Sequence, residues 1–263
     1  MPIVSLDNWF ASNKQQFTMF RSASATTVAA VPFTVFDLAG QPGAGTLAGT
    51  SAAAGVVPTD LDNGFPAITP FVGAKGYLNN VVMSNTVACR IYLFDMLFKA
   101  GAYAFNANVT LAGQPSYSSR VPGGTDYTST ELWIEAVTAF TGNQSIAITY
   151  TNQAGVAGRT TGTIATGVAP IIRRMFRLPL QAGDTGIQQV NSVVSTVSTA
   201  GTFNVLVLRR LGTGRVGTNG LFNLDLAFNG SPEIFATSAL YPVIVADSTS
   251  SGIPELFGTI TDF

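Results

Sequence analysis

The chain contains no histidine, a single cysteine and few charges, and each shortage closes off a class of chemistry. Without histidine there is no side chain that titrates unperturbed near neutral pH. The usual partner of a serine or cysteine nucleophile is missing, and so is the commonest metal ligand. One cysteine, Cys89, excludes an internal disulfide and a multi-cysteine zinc site. Its neighbours, VACRIYL, are apolar, so it reads as a small core residue. Charged residues make up 10% of the 263 positions, against about 25% in ordinary domains. A formal charge of -1 gives no general attraction to nucleic acid or to anionic lipid, and neither is expected as a partner. No apolar run is long enough to span a bilayer, and MPIVSLDNWF lacks the basic start and apolar stretch of a secretion signal. The expectation is a protein made in a cytoplasm.

What the chain does have is Gly 27, Pro 13 and Phe 18, with Thr, Ser and Val in short alternating runs. That composition suits strands joined by tight turns. The exception is Ser5 to Arg21, where Leu6, Trp9, Phe10, Phe17 and Phe20 recur at helical steps and predict an amphipathic helix. Ala39 to Gly55 is uncharged and glycine-rich, a long loop with a contact to make.

Two pairs of segments look alike. GYLNNVVMSNTVACRIYLFDML starts at Gly76 and GIQQVNSVVSTVSTAGTFNVLVLRRL at Gly186, 110 residues later. ELWIEAVTAFTGNQSIAITY matches LYPVIVADSTSSGIPELFGTI when Trp133 is set against Tyr241, 108 residues apart. The shared offset predicts a duplicated β unit. The expected fold is all-β: two β-sandwich or jelly-roll-like units, with an N-terminal helix or arm over 1–24, a first unit over 25–166 and a second over 167–263. TIATGVAP, Thr163 to Pro170, is the expected junction.

No chemical constellation assembles from this sequence. Glu131 and Glu135 share one face of a strand, about 13 Å apart, wider than the roughly 5–9.5 Å of a glycosidase pair. They read as a charged solvent face flanking Trp133. DLDNG, Asp60 to Gly64, has its glycine one place early for a calcium loop and reads as an Asx turn. ITYTNQAGVAGRTTGT resembles a phosphate cradle, but a Walker A loop would need Gly at Gln153 and Lys at Arg159. Alternating strands on both sides make it a hairpin or finger between strands, with Arg159 at its base. Arg173, Arg174 and Arg177 suggest a solvated edge or a subunit contact. The expectation is a protein that is not an enzyme, with no catalytic residues, cofactor or metal.

The segments YLNNVVMSNTVACRIYLFDMLFKAG and IAITYTNQAGVAGRT, within Gly76 to Gly101 and Ile146 to Thr160, resemble tailed-bacteriophage virion structural proteins. The chain lacks the long charged helix and acidic extended loop of a major capsid protein. The resemblance implies a capsid decoration or cement protein on the virion's outer surface, assembled in the host cytoplasm. Its partners would be the major capsid protein and further copies of the chain in a homo-oligomer such as a trimer. The candidate contact residues are Trp9, Phe10, Phe17 and Phe20, with an intradomain core as the other reading of those rings. Gln41 to Gly55 and the loop Gln153, Gly155, Gly158 and Arg159 are the candidate reaching segments. The alternative is a tail or fibre module for a receptor or carbohydrate, using Tyr103, Tyr117 and Tyr127 to stack on sugars.

Overall fold

The computed structural model describes residues 6–50, 53–105, 108–142, 145–165, 170–195, 200–218, 220–225 and 230–262. One helix, α1 (Leu6–Ala11), precedes the strands. These are β1 (Asn13–Arg21), β2 (Pro32–Thr34), β3 (Gly40–Gln41), β4 (Gly76–Asn85), β5 (Cys89–Ala104), β6 (Val109–Thr110), β7 (Thr130–Ala136), β8 (Ser145–Asn152) and β9 (Arg159–Thr160). They continue as β10 (Ile164–Ala165), β11 (Met175–Leu178), β12 (Ile187–Ser195), β13 (Thr202–Val216), β14 (Gly220–Asp225), β15 (Glu233–Ile234), β16 (Leu240–Ala246) and β17 (Glu255–Asp262).

Burial separates the strands into two kinds. β7 and β16 are buried at every position, and β5 and β13 over most of their length, so these four have protein on both faces. They form the middle of a six-stranded antiparallel sheet, β11-β7-β13-β5-β16-β2. Phe33 bridges Arg174, and Thr34 N donates to the Arg173 carbonyl at 2.9 Å, so the two edge strands meet and the sheet closes into a barrel. Phe94, Met96, Trp133, Leu206, Leu208 and Tyr241 fill its interior, and Phe36 and Phe65 close one end.

The remaining strands alternate, as half-buried strands do. β14-β4-β17-β1-β3, with β15 beside β4, makes one outer sheet. It buries Phe17, Met19, Leu78, Val81, Met83 and Leu256 against one side of the barrel. β10-β8-β12-β6, with β9 beside β8, makes the other and buries Ile146, Ile148, Tyr150, Val190 and Val193 against the opposite stretch of β5, β7 and β13. Two sandwiches therefore share one barrel wall.

A repeat of the strand topology is visible in the ladders. β8 meets β12 with Asn152 opposite Ile187, as β17 meets β4 with Asp262 opposite Gly76. β7 meets β13 with Thr130 opposite Arg209, as β16 meets β5 with Leu240 opposite Asp95. β11 lies on β7, Met175 opposite Glu135, as β2 lies on β16, Pro32 opposite Val245. β5 and β13 lie antiparallel at the centre. One copy runs through β8 and the other starts at β9, so the loop between Asn152 and Arg159 links them. The predicted junction contains 166–169, which lie outside the described residues. Each sheet takes strands from both copies, so the sandwiches are interleaved along the chain. The first copy also carries an insertion: residues 35–75 join β2 to β4, where 179–186 suffice between β11 and β12.

The helix expected over Ser5 to Arg21 is corrected. It ends at Ala11, where Ser12 Oγ and N both donate to the Trp9 carbonyl, at 2.6 and 3.3 Å. Asn13–Arg21 is a strand because eight residues from Asn13 to Phe20 pair with β17, which places Phe17, Met19 and Arg21 inward. The apolar positions of that stretch satisfy period two as well as a helical step, and the long-range ladder decides.

Candidate interaction surface

The two outer sheets turn different faces to solvent. On the first, rows run Leu221, Ser84, Glu255, Phe20 and then Asn223, Val82, Phe257, Thr18 across β14, β4, β17 and β1. Leu221 is 71% and Phe257 37% exposed, while Val82 and Phe20 are half-buried. Ile253, just before β17, extends the apolar area. Glu255 is the one charge in these two rows, and Ser84 Oγ donates to it at 3.4 Å. The second outer sheet makes the same fold with hydroxyls and amides. Ala147 occupies the place of Phe257, and β6, the counterpart of β14, presents Thr110. Thr149 and Ser192 share a hydrogen bond of 2.5 Å, and Thr151 Oγ1 donates to Asn191 Oδ1 at 3.2 Å. Apolar residues on the first face are therefore not a requirement of the architecture.

The predicted contact residues are dispersed. Phe10 is 67% exposed on α1, edge-on to the half-buried Trp9 ring at 5.8 Å. Lys14 Nζ lies 4.4 Å above that ring and donates to the Trp9 carbonyl, tying helix to strand. Phe17 lies in the sandwich core at 4% exposure, and Phe20 lies on the outer face just described. Gln153, Gly155, Gly158 and Arg159 form the hairpin that sequence predicted, with Gly155 and Gly158 at φ 79° and 74° and Val156 exposed at the tip. Gln153 Oε1 accepts from Thr185 N and Gly186 N, and Arg159 Nε pairs with Asp184 at 2.8 Å, so the hairpin's base is fixed within the chain. Gln41 to Gly55 folds back over the barrel end: Lys99 Nζ donates to Thr46 O at 2.7 Å and Gly49 N to Asn204 Oδ1 at 2.9 Å. Residues 51–52 of that loop lie outside the described set.

Several polar residues sit deeper than their sequence suggests. The solvent-face reading of Glu131 and Glu135 is corrected, since they are 7% and 0% exposed and point into the barrel with Trp133. A strand with both faces covered carries no period-two mark of which side is wet. Glu131 is held by Arg210 at 2.8 Å, Arg177 at 3.3 Å and Trp133 Nε1 at 2.9 Å, beside a cleft of about 900 Å³. Asp184, on the same cleft, is held by Arg159, Tyr150 and Asn152, which bring its pKa down to about 2. Both carboxylates are thus locked in structural pairs. Asp95 is fully buried between Arg120, Arg209, Ser238 Oγ and Ala239 N.

Tyr103 and Tyr117 are 2% exposed, Tyr117 donating to Ile187 O at 2.9 Å, and Tyr127 is half-buried against Tyr117. Two of the three rings considered for stacking on sugars are therefore core, and the third packs against them. Arg173 grips Asp37 through two bonds of 2.7 and 2.9 Å, and Arg174 lies over Phe176. DLDNG is a turn ending in Gly64 at φ 96°, but the bonds that hold it are Asp62 Oδ2 accepting from Thr59 N and Asp60 Oδ2 accepting from Ile68 N, at 2.8 and 2.9 Å, in place of the Asx bond expected. Cys89 is buried and free, as predicted. Among the described residues, no three His, Cys, Asp or Glu side chains converge as metal ligands, and no helix is long and apolar enough to cross a membrane.

No protein-family profile matches the sequence, and no curated protein matches it. Among solved structures, the VP2 subviral particle of infectious bursal disease virus is 8% identical, with 96% of this chain and 81% of that chain covered, at a TM-score of 0.17. A viral particle of the same virus is 9% identical over 96% of this chain and 78% of that chain, at a TM-score of 0.20. Likeness at these scores supports no conclusion about fold or function.

Proposed function

We propose that the chain is a virion structural protein of the tailed-phage type, a decoration protein that binds the outside of a capsid lattice. Its partners are the major capsid protein and copies of itself, and it acts by burying surface rather than by catalysis. The observation that supports this reading is the asymmetry between the outer sheets. One copy of the duplicated unit presents a half-buried Ala147 and an exposed Thr110, whereas the other exposes Phe257 and Leu221 in two rows that carry a single carboxylate. A face of that composition gains by being covered, at about 25 cal/mol per Å² of apolar surface. Contacts made only in the assembled shell stabilise the shell by mass action. Phe10 and the Val156 hairpin tip add apolar points beyond the sheet.

The test borrows the protein's own alternative. Leu221→Thr with Phe257→Ala gives the first face a hydroxyl and a methyl group of the kind the second presents. The variant should remain folded and bind expanded heads about ten-fold or more weakly, the loss expected for two large apolar side chains. Unchanged binding by the folded variant would remove the outer face from the account.

A further inference from the structure

The barrel holds a lysine, an asparagine and a carboxylic acid on three adjacent strands, at the end covered by the inserted loop. Lys99 is on β5, Asn204 on β13 and Glu135 on β7, and they are 6%, 0% and 0% exposed. Asn204 lies directly opposite Glu135 in the ladder, and its Nδ2 donates to Glu135 Oε2 at 2.6 Å. Lys99 lies opposite Leu206, two residues along from Asn204 and on the same face, a diagonal that long side chains bridge. The inserted loop contacts both the amine and the amide. Lys99 Nζ donates to Thr46 O at 2.7 Å and Asn204 Nδ2 to Leu47 O at 2.6 Å, so amine and amide are tied to consecutive residues.

We propose that these side chains form an intramolecular isopeptide bond between Lys99 and Asn204, with Glu135 as the proton-transfer catalyst. The neutral Lys99 amine attacks Asn204 Cγ, forming the N–C bond as the carbonyl electrons move to Oδ1. Gly49 N, which donates to Oδ1 at 2.9 Å, is placed to stabilise that oxyanion. Glu135 delivers a proton to Nδ2 and takes one from the attacking nitrogen; the C–Nδ2 bond breaks and ammonia leaves. One amine and one carboxamide become one secondary amide and one ammonia, with no oxidant or other reactant. Thr46, Gly49 and Lys99 all line a cleft of about 520 Å³, which gives ammonia an exit.

The surroundings favour the reactive protonation states. Desolvation lowers the Lys99 pKa, promoting the neutral amine, and raises that of Glu135, promoting the acid. Tyr241 OH donates to Glu135 Oε1 and serves as a positioning residue. Gly101 leaves the room the amide needs, since a Cβ there would strike Asn204 Oδ1.

Intact-mass measurement on the purified full chain tests the proposal. The wild type should weigh about 17 Da less than its sequence, the mass of one ammonia lost in acyl transfer to the lysine. Proteolysis should yield a branched peptide joining the Lys99 and Asn204 segments. Lys99→Arg and Asn204→Ala should return to sequence mass, and Glu135→Gln should slow or abolish the loss. A wild type at sequence mass after prolonged incubation overturns the proposal, and needs no variant to fold. Loss of ammonia that persists in Asn204→Ala overturns it equally, by placing the reaction elsewhere.

Discussion

Phe17→Ala separates a core ring from a contact on a detached arm, and its effect can be worked out from the neighbours. The ring is 4% exposed and packs over Gly258, where an added Cβ would land on its edge. Truncating a buried Phe costs about 3–5 kcal/mol, which at about 2–4 °C per kcal/mol lowers Tm by about 6–20 °C. Gly258→Ala alone overfills the same space and should cost about 1–3 kcal/mol. In the double variant the methyl group introduced by Gly258→Ala enters the volume the ring vacates. Its loss should therefore be smaller than the sum of the single losses by about 1 kcal/mol or more. Urea unfolding of the four proteins, isolated and without any partner, gives the cycle directly. A Phe17→Ala loss below about 1 kcal/mol, or effects that add within about 0.5 kcal/mol, would refute the packing of β1 on β17 described above.

Asp95→Asn should destabilise by about 3–5 kcal/mol, because it removes the counter-charge of Arg120 and Arg209 in a site without water access; chemical denaturation checks it. Asp184 gives a pH signature. Its folded pKa, about 2, lies below the ordinary 3.8, so its stabilisation is complete above about pH 4 and is lost as pH falls toward 2. Wild type should therefore lose stability over that window more steeply than Asp184→Asn, and parallel acid melts of the two would refute the assignment. Gly155→Ala and Gly158→Ala should each cost about 1 kcal/mol in thermal melts, because both glycines have positive φ.

Much of the architecture was legible because the two copies repeat both kinds of strand. β4 with β5 and β12 with β13 each join an alternating outer strand to an apolar barrel strand, and that shared pattern produced the common offset. The closing of the barrel was not legible, since it depends on a bridge between Phe33 and Arg174 that leaves no periodic trace. The same closure hid the fate of Glu131 and Glu135: a charge beside a Trp looks solvated until both faces of the strand prove to be covered. β1 was misread because its partner, β17, is at the far end of the chain. The triad of Lys99, Asn204 and Glu135 had no local signal either. Three strands and an inserted loop, distant in sequence, have to meet before those residue types become a reactive set.

The loop from Gln153 to Arg159 is explained by the duplication more than by its glycines. It leads from β8 into β9, the first strand of the second copy, as α1 leads into β1 in the first. Arg159 then anchors it to Asp184, leaving Val156 outward.

Copy number in purified particles, measured against the major capsid protein, tests most directly the proposal that this chain covers a capsid lattice. Hundreds of copies per particle, in a fixed ratio to the major capsid protein, are the result the account predicts. A handful of copies, or none, would contradict it.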